Sequence, residues 1–150
     1  MACPFFLPTE KLENGSWAHA ARLPLGCGWN GQCMAPGHER EVPLQNEVRD
    51  FCNLGYAEGC NRLPKERAWD SVRFGAKTLN KGIEAGACVH VRYVCERGHL
   101  PVENGILEFV AAESRWRELH ANGCVQRMAE CFLESYMEKR RRTQVIAVAS

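Results

Sequence analysis

Five of the nine cysteines fall within the first 60 residues: Cys3, Cys27, Cys33, Cys52 and Cys60. The same region, residues 1–68, holds six of the seven prolines. Its apolar residues recur at neither the helical nor the strand period over any long stretch, so packing alone is a poor account of how it folds. Cys3 opens the string C-P-F-F, Cys27 and Cys33 bracket G-C-G-W-N-G-Q-C, and Cys52 and Cys60 bracket F-C-N-L-G-Y-A-E-G-C. Glycine-flanked thiols in a loop-rich segment are the arrangement expected of ligands gathered around a metal centre.

Composition narrows how those thiols are read. A chain of 150 residues has the length of a single domain, 1–150, and can bury a core without disulfides. The formal charge of +1 gives no general attraction to nucleic acid or to an anionic membrane. No apolar run reaches the length of about 18 residues that a membrane span needs. Met1-Ala2-Cys3-Pro4 has no basic region followed by an apolar stretch, so a cytoplasmic location is expected. Structural disulfides are rare in that compartment, and an odd number of cysteines would leave one over. Metal ligation, redox chemistry and burial remain.

The chain divides by composition near residue 68. Residues 1–68 read as loops and short helices around the thiols. A helix is expected from Pro43, with Leu44, Val48, Phe51 and Cys52 on one face and a stop at Asn53 and Gly55. A further helical turn is expected over Tyr56 to Cys60. Residues 69–150 read as sheet plus helix. Strands are expected over Trp69–Phe74, Cys88–Cys95 and Ile106–Val110, with a turn at Asn80-Lys81-Gly82 and a polar loop carrying Gly98, Pro101, Asn104 and Gly105. In the second strand Val89, Val91, Tyr93 and Cys95 point one way, and Cys88, His90, Arg92 and Val94 the other. Residues 113–142 read as mainly helical, broken near Asn122-Gly123, with Val125, Met128, Ala129, Phe132, Leu133 and Tyr136 on the inner face. The expected fold is therefore α+β: a three-stranded antiparallel sheet packed by a C-terminal helix, beside a cysteine-containing N-terminal half.

Thiolates are soft donors that suit zinc, copper(I) or iron–sulfur clusters. The five N-terminal cysteines exceed the four a closed zinc site or a [4Fe–4S] cluster requires. Cys33, Cys52 and Cys60 are the firmest three, with Cys3 or Cys27 as the fourth. Cysteine followed by proline, as at Cys3, is a frequent ligand context in iron–sulfur proteins. Zinc ribbons and fingers present C-x2–4-C pairs, whereas successive cysteines from Cys27 to Cys60 are separated by 5, 18 and 7 residues. These long spacings favour a [4Fe–4S] cluster over zinc. Burial as small apolar residues is the plain alternative, and Cys52 suits it best.

Other signals are weaker. Gly26 to Gly31 fits G-x-G-x-x-G without the strand before it and helix after it that dinucleotide binding needs. Cys88 and Cys95 face opposite sides of one strand, and Cys124 and Cys131 share the inner face of a helix, so burial explains all four. His38 is an alternative ligand for an open metal position. Lys139 to Arg142 is the single basic cluster. It is expected to complement a helix C-terminus, because four charges without interleaved aromatics are a thin footprint for nucleic acid. The sequence thus predicts a small metal-binding protein acting in electron transfer or redox sensing with a protein partner. A zinc-stabilised interaction module is the alternative, and no catalytic motif decides whether there is an activity.

Overall fold

The computed structural model describes residues 1–12, 23–80 and 86–149. Strand β1 (Phe6–Leu12) pairs antiparallel with β2 (Gly28–Cys33) in a two-stranded sheet. One helical turn, α1 (Gln45–Glu47), runs directly into a π-turn over Val48–Cys52. Four antiparallel strands follow, in the order β3 (Ser71–Asn80), β4 (Ala87–Arg97), β5 (Leu100–Val110) and β6 (Arg115–Trp116). The long helix α2 (Gly123–Ala149) completes the described chain. The class is α+β, but the expectation of a single three-stranded sheet is overturned by two sheets, of two and four strands.

The physical reasons for the difference are local. β1 contains Pro8, and β2 contains Gly28 and Gly31, all residue types that weaken a strand reading. Tertiary contact overrides propensity at Gly31. A Cβ there would lie 2.2 Å from the Leu7 carbonyl and 2.6 Å from the Phe6 ring, so only glycine lets the two strands pair. The polar loop expected after Arg97 is a two-residue turn, Gly98-His99, with both φ angles positive (58° and 64°). Pro101 and Gly105 lie within β5 itself. Residues 100–107 are not paired by β6, so Pro101 sits on an open edge beside a bulge, where proline is tolerated. A Cβ on Gly105 would come within 2.6 Å of the Tyr93 hydroxyl, whose ring lies over that backbone.

The alternation read in β4 holds. Val89, Val91 and Cys95 are fully buried against α2, where Val125, Met128, Ala129, Cys131 and Leu133 face the sheet. Each large apolar side chain so buried stabilises the fold by about 1.5–3 kcal/mol. The helix starts later than expected. Trp116 belongs to β6, and Leu119 and His120 precede the helix. Asn122 caps it, its Oδ1 accepting from the amides of Cys124 (2.9 Å) and Val125 (3.1 Å). At the other end α2 runs on through Val145 and Val148 to Ala149, so Lys139–Arg142 lies inside the helix and not at its end. Among the described residues no helix is long and apolar enough to cross a membrane.

The N-terminal half is better packed than its sequence pattern implies. Phe6, Leu25 and Trp29 share one core with Val72, Cys95, Val125 and Met128. Ala2 is bridged to Val72 in both directions, at 2.7 and 2.9 Å, which ties the start of the described chain to the larger sheet. The expected helical turn over Tyr56–Cys60 is instead a pair of non-helical turns. The Lys81-Gly82 part of the expected turn lies outside the described residues.

Asp70 fastens the β4–β5 hairpin to the chain that precedes β3. Its Oδ2 accepts from the Gly98 amide at 2.7 Å and its Oδ1 from Arg67 Nε at 2.6 Å. The Gly98 amide and then the Arg67 guanidinium hold its carboxyl below the usual aspartate range, although partial burial opposes this. A depressed pKa contributes stability above the unfolded-state value, near ~3.9, and loses it as pH falls through the folded value. Asp70→Asn should therefore cost about 1–2 kcal/mol at pH 7 and flatten the acid limb of stability below pH ~4. Urea denaturation across pH checks both effects, and an acid limb identical to wild type would exclude this role.

Candidate metal centre

Four of the five candidate thiols meet at one cavity. Cys3, Cys33, Cys52 and Cys60 all line a small cavity of about 20 Å³ that opens to solvent on one side. Each comes from a different local structure. Cys3 begins a turn in which its carbonyl accepts from the Phe6 amide at 3.1 Å, with Pro4 inside the turn. Cys33 is the last residue of β2. Cys52 ends the π-turn, in which the Asn53 amide reaches back five residues to the Val48 carbonyl at 3.2 Å. Cys60 closes a turn in which its amide donates to the Ala57 carbonyl at 2.9 Å. The segments are also joined to one another, since the Cys3 amide donates to the Cys52 carbonyl at 3.1 Å.

Cys27 is placed elsewhere. Its sulfur lies 3.8 Å from the Ser135 hydroxyl on α2, and it does not line the cavity. His38 also lies outside it, in an adjoining groove, where Nδ1 pairs with Glu41 at 2.7 Å. Cys124 lies closer to the centre than its sequence position suggested, in the core against which Cys3 and Cys52 pack.

The remaining walls are mostly apolar, supplied by residues such as Phe5, Phe6, Phe51 and Leu63. Burial pushes the Cys3 and Cys52 thiols up to about 12 and raises that of Cys33. Without a cation, these groups hold their protons at neutral pH. Two sulfurs nevertheless receive backbone donors that favour a thiolate. The Ala35 amide points at Cys33 Sγ at 3.4 Å, and the Phe5 amide hydrogen-bonds Cys3. In both cases the donor is two residues after the cysteine, so the local turn aims it. Burial thus opposes ionisation of these thiols, while at Cys3 and Cys33 the backbone amides favour it.

Among the described residues, no three His, Cys, Asp or Glu side chains converge closely enough to hold a single metal ion. Tetrahedral zinc would bring its sulfurs to about 2.3 Å from one point. The four thiols line the cavity without meeting at a point.

The C-terminal thiols Cys88, Cys95, Cys124 and Cys131 are buried. Cys95 is fully enclosed on the helix-facing side of β4, and burial pushes its thiol up to about 12. Cys95→Ala should cost about 1 kcal/mol in a denaturation experiment and leave bound metal unchanged. Loss of metal in that variant would move the centre away from the N-terminal cavity.

Sequence reasoning missed Arg62 and Glu47, the two charged side chains that line the same cavity. Their positions relative to Cys60 and Cys52 carry no motif, and only the fold brings them to the thiols. Comparison with protein-family models, curated proteins and solved structures finds no match for this chain.

Proposed function

We propose that the protein holds a [4Fe–4S] cluster on Cys3, Cys33, Cys52 and Cys60 and acts in electron transfer or redox sensing with a protein partner. The observation that carries this reading is the meeting of four thiols, from four separate segments, around one largely apolar cavity. Such a cluster supplies one-electron chemistry when bound. The chain's own contribution is to fix the four sulfurs, direct amides at two of them, and exclude most water with the aromatic side chains of Phe5, Phe6 and Phe51. Four cysteine ligands complete the coordination of a cubane, which favours electron transfer over catalysis at an open iron. Nine free cysteines support a reducing, cytoplasmic setting.

Anaerobically purified protein should be brown, with a broad absorption near ~400 nm and about four iron and four sulfide per chain. A colourless protein with one equivalent of zinc would replace this reading with a structural zinc module. A metal-free protein whose stability is indifferent to chelator would overturn both.

A further inference from the structure

Arg62 and Glu47 are the charged residues that line the thiol cavity, and they are locked to each other. Arg62 Nη1 donates to Glu47 Oε2 at 2.6 Å, and Arg62 Nε donates to Glu41 Oε2 at 2.9 Å. The other Glu47 oxygen accepts from the Leu44 amide at 3.0 Å. Glu41 is fixed as well, because its carbonyl accepts from the Cys33 amide at 2.8 Å. The side chains of Arg62 and Glu47 are only 21% and 19% exposed, so solvent screens them less than ordinary surface charges. A cation and a carboxylate are thus held at set positions beside the sulfurs by the backbone segments that carry Cys33, Cys52 and Cys60.

We propose that this pair sets the reduction potential of the centre, Arg62 raising it and Glu47 lowering it; the proposal rests on the cluster reading above. The relevant step is the uptake of one electron from a low-potential donor. It takes a four-thiolate [4Fe–4S] centre from an overall charge of −2 to −3, and no bond forms or breaks. The added negative charge is stabilised by the guanidinium and opposed by the carboxylate, and a partly buried site makes both effects larger than in water. An ion pair that merely braces the loops would act on stability alone. Neutralising either partner would then disturb the site in the same sense.

The test is a dye-mediated redox titration of the intact, cluster-loaded chain, with dithionite as reductant and the absorption near ~400 nm as the readout. Arg62→Gln should shift the midpoint downward, because it removes the cation and leaves two carboxylates unbalanced. Glu47→Gln keeps an acceptor for the Leu44 amide and should shift the midpoint upward. Arg62→Lys should stay near wild type. Glu41→Gln should move it upward by less than Glu47→Gln, since Glu41 lies outside the cavity lining. If Arg62→Gln fails to take up iron, the other three variants carry the comparison. Shifts of the same sign for Arg62→Gln and Glu47→Gln, or midpoints indistinguishable from wild type across the series, would overturn the proposal while leaving a coloured protein's cluster intact. A colourless wild type would overturn the cluster reading instead.

Discussion

Serine in place of Cys33, Cys52 or Cys60 should in each case abolish the absorption near ~400 nm and release the iron. The oxygen of serine is harder and shorter-reaching than the sulfur it replaces, and a cubane with three cysteine ligands is exposed to loss of an iron. The structural consequence should be confined. Residues 34–63 form the turns that carry Cys52 and Cys60 and offer few fully buried side chains, chiefly Ala35, Val48, Asn53 and Ala57. Limited proteolysis of each variant should cut within that segment first, while β3–β6 and the first half of α2 resist. The two-stranded sheet should also resist, because Phe6, Leu25 and Trp29 are anchored in the common core. Cys3→Ser should behave like the other three, and Cys27→Ser should keep its colour because its sulfur lies beside Ser135. A coloured Cys3→Ser protein together with a colourless Cys27→Ser protein would reverse the assignment of the fourth ligand.

Asn53→Ala should destabilise the protein by about 3 kcal/mol or more and lower Tm by about 6–12 °C. Asn53 is 1% exposed and serves three backbone groups at once. Its Oδ1 accepts from the Trp29 amide at 3.1 Å, and its Nδ2 donates to the carbonyls of Trp29 (3.0 Å) and Val48 (2.8 Å). Alanine leaves all three groups buried without their partner, and a buried unsatisfied group costs about 1–3 kcal/mol. Asn53→Asp should fare little better, because a carboxylate can keep the Trp29 amide but only repels the two carbonyls. Because Asn53 joins β2 to the π-turn, iron content should fall along with stability. Chemical denaturation of the metal-free chain separates the two effects, and a loss below about 1 kcal/mol there would show that the asparagine is not the tie described.

Asn53 shows where sequence reading stops. Its type and its place after Phe51-Cys52 marked a helix end, which is its local role, but nothing in the string pointed to Trp29. β4 was legible because four apolar residues alternate without interruption, and the buried face of α2 because six residues recur at helical spacing. Both patterns record burial within one element. β1 and β2 were not legible, because Pro8, Gly28 and Gly31 argue against a strand and the reason for Gly31 lies on the neighbouring strand. Pro101 concealed the first half of β5 in the same way, since an open sheet edge is a property of the whole sheet. The candidate site falls between these cases. The N-terminal thiols stood out by composition and spacing, yet which of them share a cavity is decided by the Ala2–Val72 bridge and by the turns at Cys52 and Cys60. Arg62 and Glu47 are ordinary surface residue types until the fold sets them against sulfur.

The π-turn over Val48–Cys52 sets where the Cys52 sulfur points. A π-turn is a helical turn with one residue more than an α-helix would use, so deleting a single residue can return it to an ordinary α-turn. Removing Arg49 or Asp50, whose exposed side chains pair with each other, would let the segment close as ordinary α-helix. The five residues of the π-turn and the four of an α-turn each sweep roughly one full turn, so the chain after the deletion would keep nearly its direction and Cys52 would still face the cavity. The turn can therefore take up a one-residue change in length without turning Cys52 away, and a sequence one residue shorter between Val48 and Cys52 can keep the same four thiols on the cavity.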